Sequence, residues 1–247
     1  YATQRDLGDF FNRVNIEANL ANTIVSPAEL ALFAPGVERM QNKIRIDGKF
    51  TGRVNRFFGE NTRIQTGNTT IAGRVEMDGL PQINETFINL RLAQSMIDIN
   101  DLRFLFNDNL FLRLKPLARF QIRGNFTGFV NDFVANASFD GPIGKINSDI
   151  NLKINEQAID QSIYKGSVQF SDFNLGAYFN DTITFQKLNM KGRINGRGFS
   201  EATSDFLLNG TISSIGLRGY NYVNISTNAR FQSQFFNGDI SINDPNL

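Results

Sequence analysis

The sequence predicts an all-β protein: a long curled sheet with an apolar trough along its repeating units, and one short N-terminal helix. Three observations predict it. After residue 42 the chain is run upon run of alternating apolar and polar residues, the period of a half-buried strand. No amphipathic helical stretch of useful length separates the runs, which excludes a helix-covered α/β sheet. Glycine also recurs on the apolar side of three long segments: "IRIDGKFTGRVN" (44–55), "FQIRGNFTGFVN" (120–131) and "LNMKGRINGRGF" (188–199).

The elements follow in order. The first 25 residues, including "DLGDFFNRVNIEANL", read equally as strand or helix. A helix is expected over 27–34: Ser26 caps it, Pro27 suits its first position, Glu29 completes a capping box and Pro35-Gly36 ends it. A second short piece through "VERMQN" is possible on pattern alone. In the first repeat Ile44, Ile46, Gly48, Phe50, Gly52 and Val54 share a face, and Arg45, Asp47, Lys49, Thr51, Arg53 and Asn55 take the other. Ile71, Val75 and Met77, then Ile88, Leu90 and Leu92, continue the alternation. The second repeat sets Phe120, Ile122, Gly124, Phe126, Gly128 and Val130 on one face. Ile146, Ile150, Leu152 and Ile154 follow, then Leu188, Met190, Gly192, Ile194, Gly196 and Gly198, then Val223, Ile225, Ala229 and Phe231. Asp78-Gly79, Asp140-Gly141, Asn209-Gly210 and Asn237-Gly238 are turn signals between runs. The repeats start near 44, 120 and 188, steps of 76 and 68 residues, too long for common solenoids. Residues 1–247 read as part of one elongated domain, with "FNDNLFLRLKPLARF" the one soft interruption.

The glycines shape the expectation. A twelve-residue strand spans about 40 Å, and its apolar face needs cover that one helix cannot give. The sheet must cover itself, by folding over as a sandwich, a barrel or a deeply curled trough, and the glycines favour the trough. Glycine inside a strand marks a bend, a bulge or a close approach. Gly48, Gly52, Gly124, Gly128, Gly192 and Gly196 are therefore the expected bending positions. Ile46, Phe50, Val54, Ile122, Phe126, Val130, Met190 and Ile194 line the inside of the curl.

Composition narrows the chemistry. The 247 residues include no His, Cys or Trp, which excludes zinc centres, Cys or His nucleophiles and disulfides. Net charge is +1, so no nucleic-acid partner is expected, even at the basic-aromatic stretch "RVNRFF". There are 24 Phe, which favour strands, and 30 Asn, which favour turns and exposed edges. Glu156 and Asp160 form an acid pair with no pocket signal. "GRINGRG" lacks the ending and following helix of a phosphate loop, and "NDNL" and "INDPN" lack a calcium ligand ladder. No metal, cofactor or catalytic residue is expected, and the reading is non-enzymatic. No apolar run approaches the ~20 residues of a membrane helix.

The stretches "GKFTGRVNRF", "LARFQIRGNFTGFVNDFVANASFDGPIGKINSDINLKI", "YKGSVQFSDFNLGAYF" and "LLNGTISSIGLRGYNYVNISTNARFQSQFFNGDISINDPNL" resemble the TamB (AsmA-like) family in its Bacteroidota-type versions. The similarity runs from about Pro27 to Leu247. It implies a segment of a β-rich periplasmic body whose elongated, half-open, taco-like apolar groove carries phospholipid acyl chains between the membranes of a Gram-negative bacterium and supports outer-membrane protein assembly. It also implies an inner-membrane anchor outside this segment and an Omp85-type (TamA-like) outer-membrane barrel as partner. The lining residues above would then face lipid. The alternative is an all-β cell-surface or adhesin-like binding module with a closed core and no lipid.

Overall fold

The computed structural model describes residues 8–31, 36–200, 202–233 and 235–247. The protein is all-β. Thirteen strands form one sheet in chain order, each antiparallel to the next, and the first and last strands do not meet. They are β1 Ile16–Val25, β2 Ile44–Arg53, β3 Arg56–Thr66, β4 Thr69–Asp78, β5 Phe87–Asp98, β6 Arg119–Phe129 and β7 Asp132–Gly141. The rest are β8 Gly144–Lys153, β9 Ile163–Asn174, β10 Phe185–Arg197, β11 Asp205–Leu217, β12 Tyr220–Gln232 and β13 Phe235–Ile242. Two compact units divide the chain: Tyr1–Asn107 with Gln121–Phe133, and Asp108–Phe120 with Val134–Leu247.

Four short helices are present among the described residues, where the sequence reading expected one: α1 Phe10–Arg13, α2 Pro27–Leu30, α3 Asp108–Leu114 and α4 Leu175–Phe179. Only α2 has the full set of terminal signals. Its capping box is intact, with Ser26 N–H donating to Glu29 Oε2 at 2.7 Å and Glu29 N–H donating to Ser26 Oγ at 3.3 Å. The expected end of this helix, through residue 34, lies outside the described residues. "VERMQN" holds a 3₁₀ turn, Val37–Arg39. The ambiguous N-terminal stretch contains both α1 and β1. The soft interruption before β6 is α3 followed by a 3₁₀ turn, Lys115–Leu117.

Two expected turns are not turns, and a third is displaced: Asp140-Gly141 ends β7, and the reversal falls on Pro142-Ile143. Asn209-Gly210 lies inside β11 and Asn237-Gly238 inside β13. Gly210 stands directly opposite Gly192, and its Cβ would sit 2.6 Å from the Gly192 Cα. The strands approach there too closely for side chains, so glycine serves pairing and not reversal. The first two repeats are themselves hairpins, so their segments end sooner than one twelve-residue strand. β2 stops at Arg53 and turns through Val54-Asn55, and β6 stops at Phe129 before β7 begins at Asp132. In each hairpin a Phe two residues before the glycine meets the Phe after the turn: Phe50–Phe57 at 6.2 Å and Phe126–Phe133 at 4.5 Å between ring centroids. Gly52 and Gly128 take φ of +122° and +138°. A Cβ on Gly52 would lie 2.5 Å from the Arg56 carbonyl oxygen.

The strands bend at bulges. Pairing registers shift between Leu20 and Thr23 in β1, between Gly59 and Thr62 in β3, and between Leu188 and Met190 of β10 against β9. Asn22, Asn61 and Asp172 sit at these shifts with left-handed φ of 50°, 48° and 49°. Asn and Asp tolerate that conformation better than other side chains with a Cβ. Partner strands satisfy the bulged amides: Asn22 N–H donates to Asp47 Oδ1 at 2.6 Å, and Asp172 N–H to Asn189 Oδ1 at 2.7 Å. A bulge adds twist and bend to its own strand.

Candidate functional site

Strand pairing sets the apolar residues in rows that run across the sheet. In the first unit one row is Thr23, Ile46, Ile64 and Ile71. The next is Ala18, Phe50, Gly59, Val75 and Leu90, and beyond it lie Ile16, Gly52, Phe57, Met77 and Ile88. In the second unit Ile146, Phe170, Met190, Ile212 and Ile225 form one row. Ile150, Gly166, Ile194, Leu208 and Ala229 form another, and Leu152, Tyr164, Gly196, Phe206 and Phe231 a third. Val168, Leu188, Met190 and Leu208 make a buried cluster against which Ile150, Phe170, Leu175, Ile194 and Phe206 pack.

The expected lining residues fall on this face or at its ends. Met190 and Val54 are buried; Ile46, Phe50, Ile122, Phe126, Val130 and Ile194 are half-buried. Val54 and Val130 sit in hairpin turns and not in strands. Strand interiors sealed between two layers are buried on the apolar side; here much of that side keeps partial access to solvent. The bending glycines divide into two kinds. Gly48, Gly52, Gly124 and Gly128 have φ of +122° to +140°. Gly192 and Gly196 have no left-handed φ, and a Cβ on either would meet main chain of β11. The glycine dents are also partly filled: the Phe50 ring leans over Gly59, where a Cβ would be 2.9 Å from Phe50 Cε1.

The opposite face carries the charges, and several of them pair. Lys49 Nζ lies 2.8 Å from Glu17, Arg74 2.9 Å from Glu60, and Lys145 2.9 Å from Asp140. The Lys49 hydrogen bond and charge hold Glu17 below its usual value. Asp205, buried at one strand end, accepts hydrogen bonds from Arg230 Nε and Nη2 at 2.7 Å each. That fork holds its carboxyl below the usual range, against the opposing effect of burial. A shallow hollow of the second unit is rimmed by Asn147, Asp149, Gln169, Lys191, Arg193 and Asn209. It joins open solvent, and Ser167 stands opposite Asp149 within it.

Several residues of the apolar face carried no signal in the sequence. Tyr164 and Tyr178 stand among Phe173, Phe179 and Phe199, with Tyr164 stacked on Phe199 at 5.5 Å and Tyr178 5.8 Å from Phe173. Burial, then the Tyr178 and Asp205 charges, push the Tyr164 phenol up to about 12. Burial raises Tyr178 as well, and the Arg113 charge opposes it. The hydroxyls of Thr62 and Thr227 are buried on this face with no hydrogen-bond partner. Of the acid pair Glu156 and Asp160, Asp160 meets Arg113 at 3.8 Å. Among the described residues no group of three acidic, His or Cys side chains is placed to hold a metal ion. No helix among them is long and apolar enough to cross a membrane. No known family, curated protein or solved structure matches the chain.

Proposed function

We propose that the apolar face is a path for phospholipid acyl chains, and that the chain is part of a non-enzymatic periplasmic bridge between the inner and outer membranes of a Gram-negative bacterium. In this reading the bridge is anchored in the inner membrane outside this segment. It meets an Omp85-type barrel at the outer membrane and supports outer-membrane protein assembly there. The observation that carries the proposal is the set of half-buried apolar rows on one side of an unclosed sheet, with paired charges on the other. Ile46, Phe50, Phe126 and Ile194 have the right chemistry for acyl chains and make no demand on head-group identity.

The energetic case is simple. Each CH₂ withdrawn from water is worth about 0.8 kcal/mol, so exposing two sixteen-carbon chains costs on the order of 20 kcal/mol. A continuous apolar surface removes most of that barrier while head groups stay hydrated. The closed-core surface module would need a sealed interior, and the half-buried rows weigh against it. The test is native mass spectrometry with lipid extraction of the purified chain. Phospholipid that co-purifies and is displaced by an excess of labelled phospholipid supports the path. Protein that stays clean after incubation with phospholipid vesicles refutes it.

A further inference from the structure

The strand meander gives the second unit two rims. The start of β6, the end of β9 and the start of β10 lie at one rim, and the start of β9 lies at the other. Helix α3 leads into the start of β6, and the 3₁₀ turn Ile159–Gln161 leads into the start of β9. They belong to opposite rims, yet Arg113 Nη2 of α3 is 3.8 Å from Asp160 Oδ1 of that turn. The Arg113 charge also reaches Tyr178 of α4, so α3 lies on the apolar side of this unit, between α4 and the start of β9. Helix α4 lies in the β9–β10 connection. Leu175 at its start packs on the buried Val168–Leu188–Met190–Leu208 cluster, and Tyr178 at its other end packs on Phe173.

We propose that α3 is a releasable strap over the apolar face of this unit, clasped to the far rim by Arg113 and Asp160, and that acyl chains pass beneath it only when the clasp opens. The inference rests on the lipid path proposed above. The clasp suits a reversible catch. Both side chains keep more than a third of their surface in water, at 39% and 36%, yet Asp160 Oδ1 itself is buried and accepts no hydrogen bond, so the catch holds by charge alone. A half-exposed pair of this kind shifts an equilibrium by about fivefold at most, and salt weakens it. A bidentate fork on a buried carboxylate, as Arg230 makes on Asp205, would hold the strap more firmly shut.

Two experiments separate the strap from the path. The first needs no lipid. Hydrogen exchange of α3 and α4 is compared between the native chain and Asp160→Lys. The strap predicts two- to fivefold faster exchange in both helices, with β11 and β12 unchanged; unchanged exchange in α3 and α4 overturns it. The second uses Arg113→Cys with Asp160→Cys, clean because the chain has no other cysteine. One sample is joined by a short bis-maleimide and the other is capped with N-ethylmaleimide. Each is mixed with phosphatidylethanolamine–phosphatidylglycerol vesicles carrying a pyrene-labelled phospholipid. Uptake at least tenfold slower in the joined sample than in the capped one supports the strap, and equal uptake overturns it. If neither sample nor the native chain takes up lipid, the lipid path fails, and with it the strap's role in passage; the exchange result then decides the clasp alone.

Discussion

Alanine in place of Gly192 tests whether close strand approach is the reason for the glycine spacing. Gly192 has no left-handed φ. At an unstrained position, Gly→Ala stabilises a protein by about 0.4–1 kcal/mol through the unfolded chain. The structure reverses that sign. The new Cβ would lie 2.7 Å from the Asn209 carbonyl oxygen and 3.0 Å from the Gly210 Cα, both main chain of β11. Leu208 Cδ1, at 3.2 Å, blocks escape toward the apolar side. Relieving such overlap by moving backbone costs about 1–3 kcal/mol, so the net expectation is a loss of about 1–2 kcal/mol. For a chain of this size that lowers the thermal midpoint by roughly 5 °C. Far-UV circular dichroism during heating, with urea titration alongside, reads the effect. A midpoint that stays level or rises would show that β10 and β11 can part at no cost, and the close-approach account of the repeats would fall.

Four further outcomes are expected. Phe126→Asp and Ile194→Asp each place a charge among half-buried apolar residues and should cut phospholipid uptake at least tenfold, while the far-UV spectrum keeps its β form; undiminished uptake removes these side chains from the path. Thr227→Val replaces a buried hydroxyl that has no partner and should stabilise the protein by about 1 kcal/mol in urea titration. Asp172→Val puts a β-branched residue at a φ of 49° and should cost about 1–2 kcal/mol, whereas Asp172→Gly should cost less. The Asp205 carboxyl, lowered by Arg230, contributes stability that is complete above the ordinary value of 3.8 and is lost as pH falls through its folded value. Asp205→Asn should therefore flatten the acid limb of the stability profile while lowering stability at neutral pH.

The faces of the strands were legible and their bends were not. Alternation in "IRIDGKF" and "INSDINL" is a local property, and the structure keeps those residues on the sides it assigns. The bulges at Asn22, Asn61 and Asp172 depend on register against another strand, which single-strand periodicity does not contain. The high Asn count pointed to turns and exposed edges, yet three Asn with left-handed φ, at 22, 61 and 224, lie inside strands. Asn209-Gly210 was misread for a related reason: the dipeptide suits a tight turn, and only the opposing Gly192 shows that it is needed for pairing. Of the candidate site, the apolar rows could be anticipated. The strap could not, because "DNLFLRLK" is too short for a clear helical period and Arg113 meets Asp160 only through the fold.

Each strand finds its hydrogen-bond partner in the segment made just before it, because sheet order follows chain order throughout. Most of these contacts close over short loops, and because the entropy of closure grows slowly with length, even the longest connection, residues 99–118 between β5 and β6, adds little. A ribbon of this kind can assemble one hairpin at a time while its remaining residues are still threading through a narrow pore. It can also gain or lose a hairpin in evolution, becoming longer or shorter while the neighbouring strands keep their pairing.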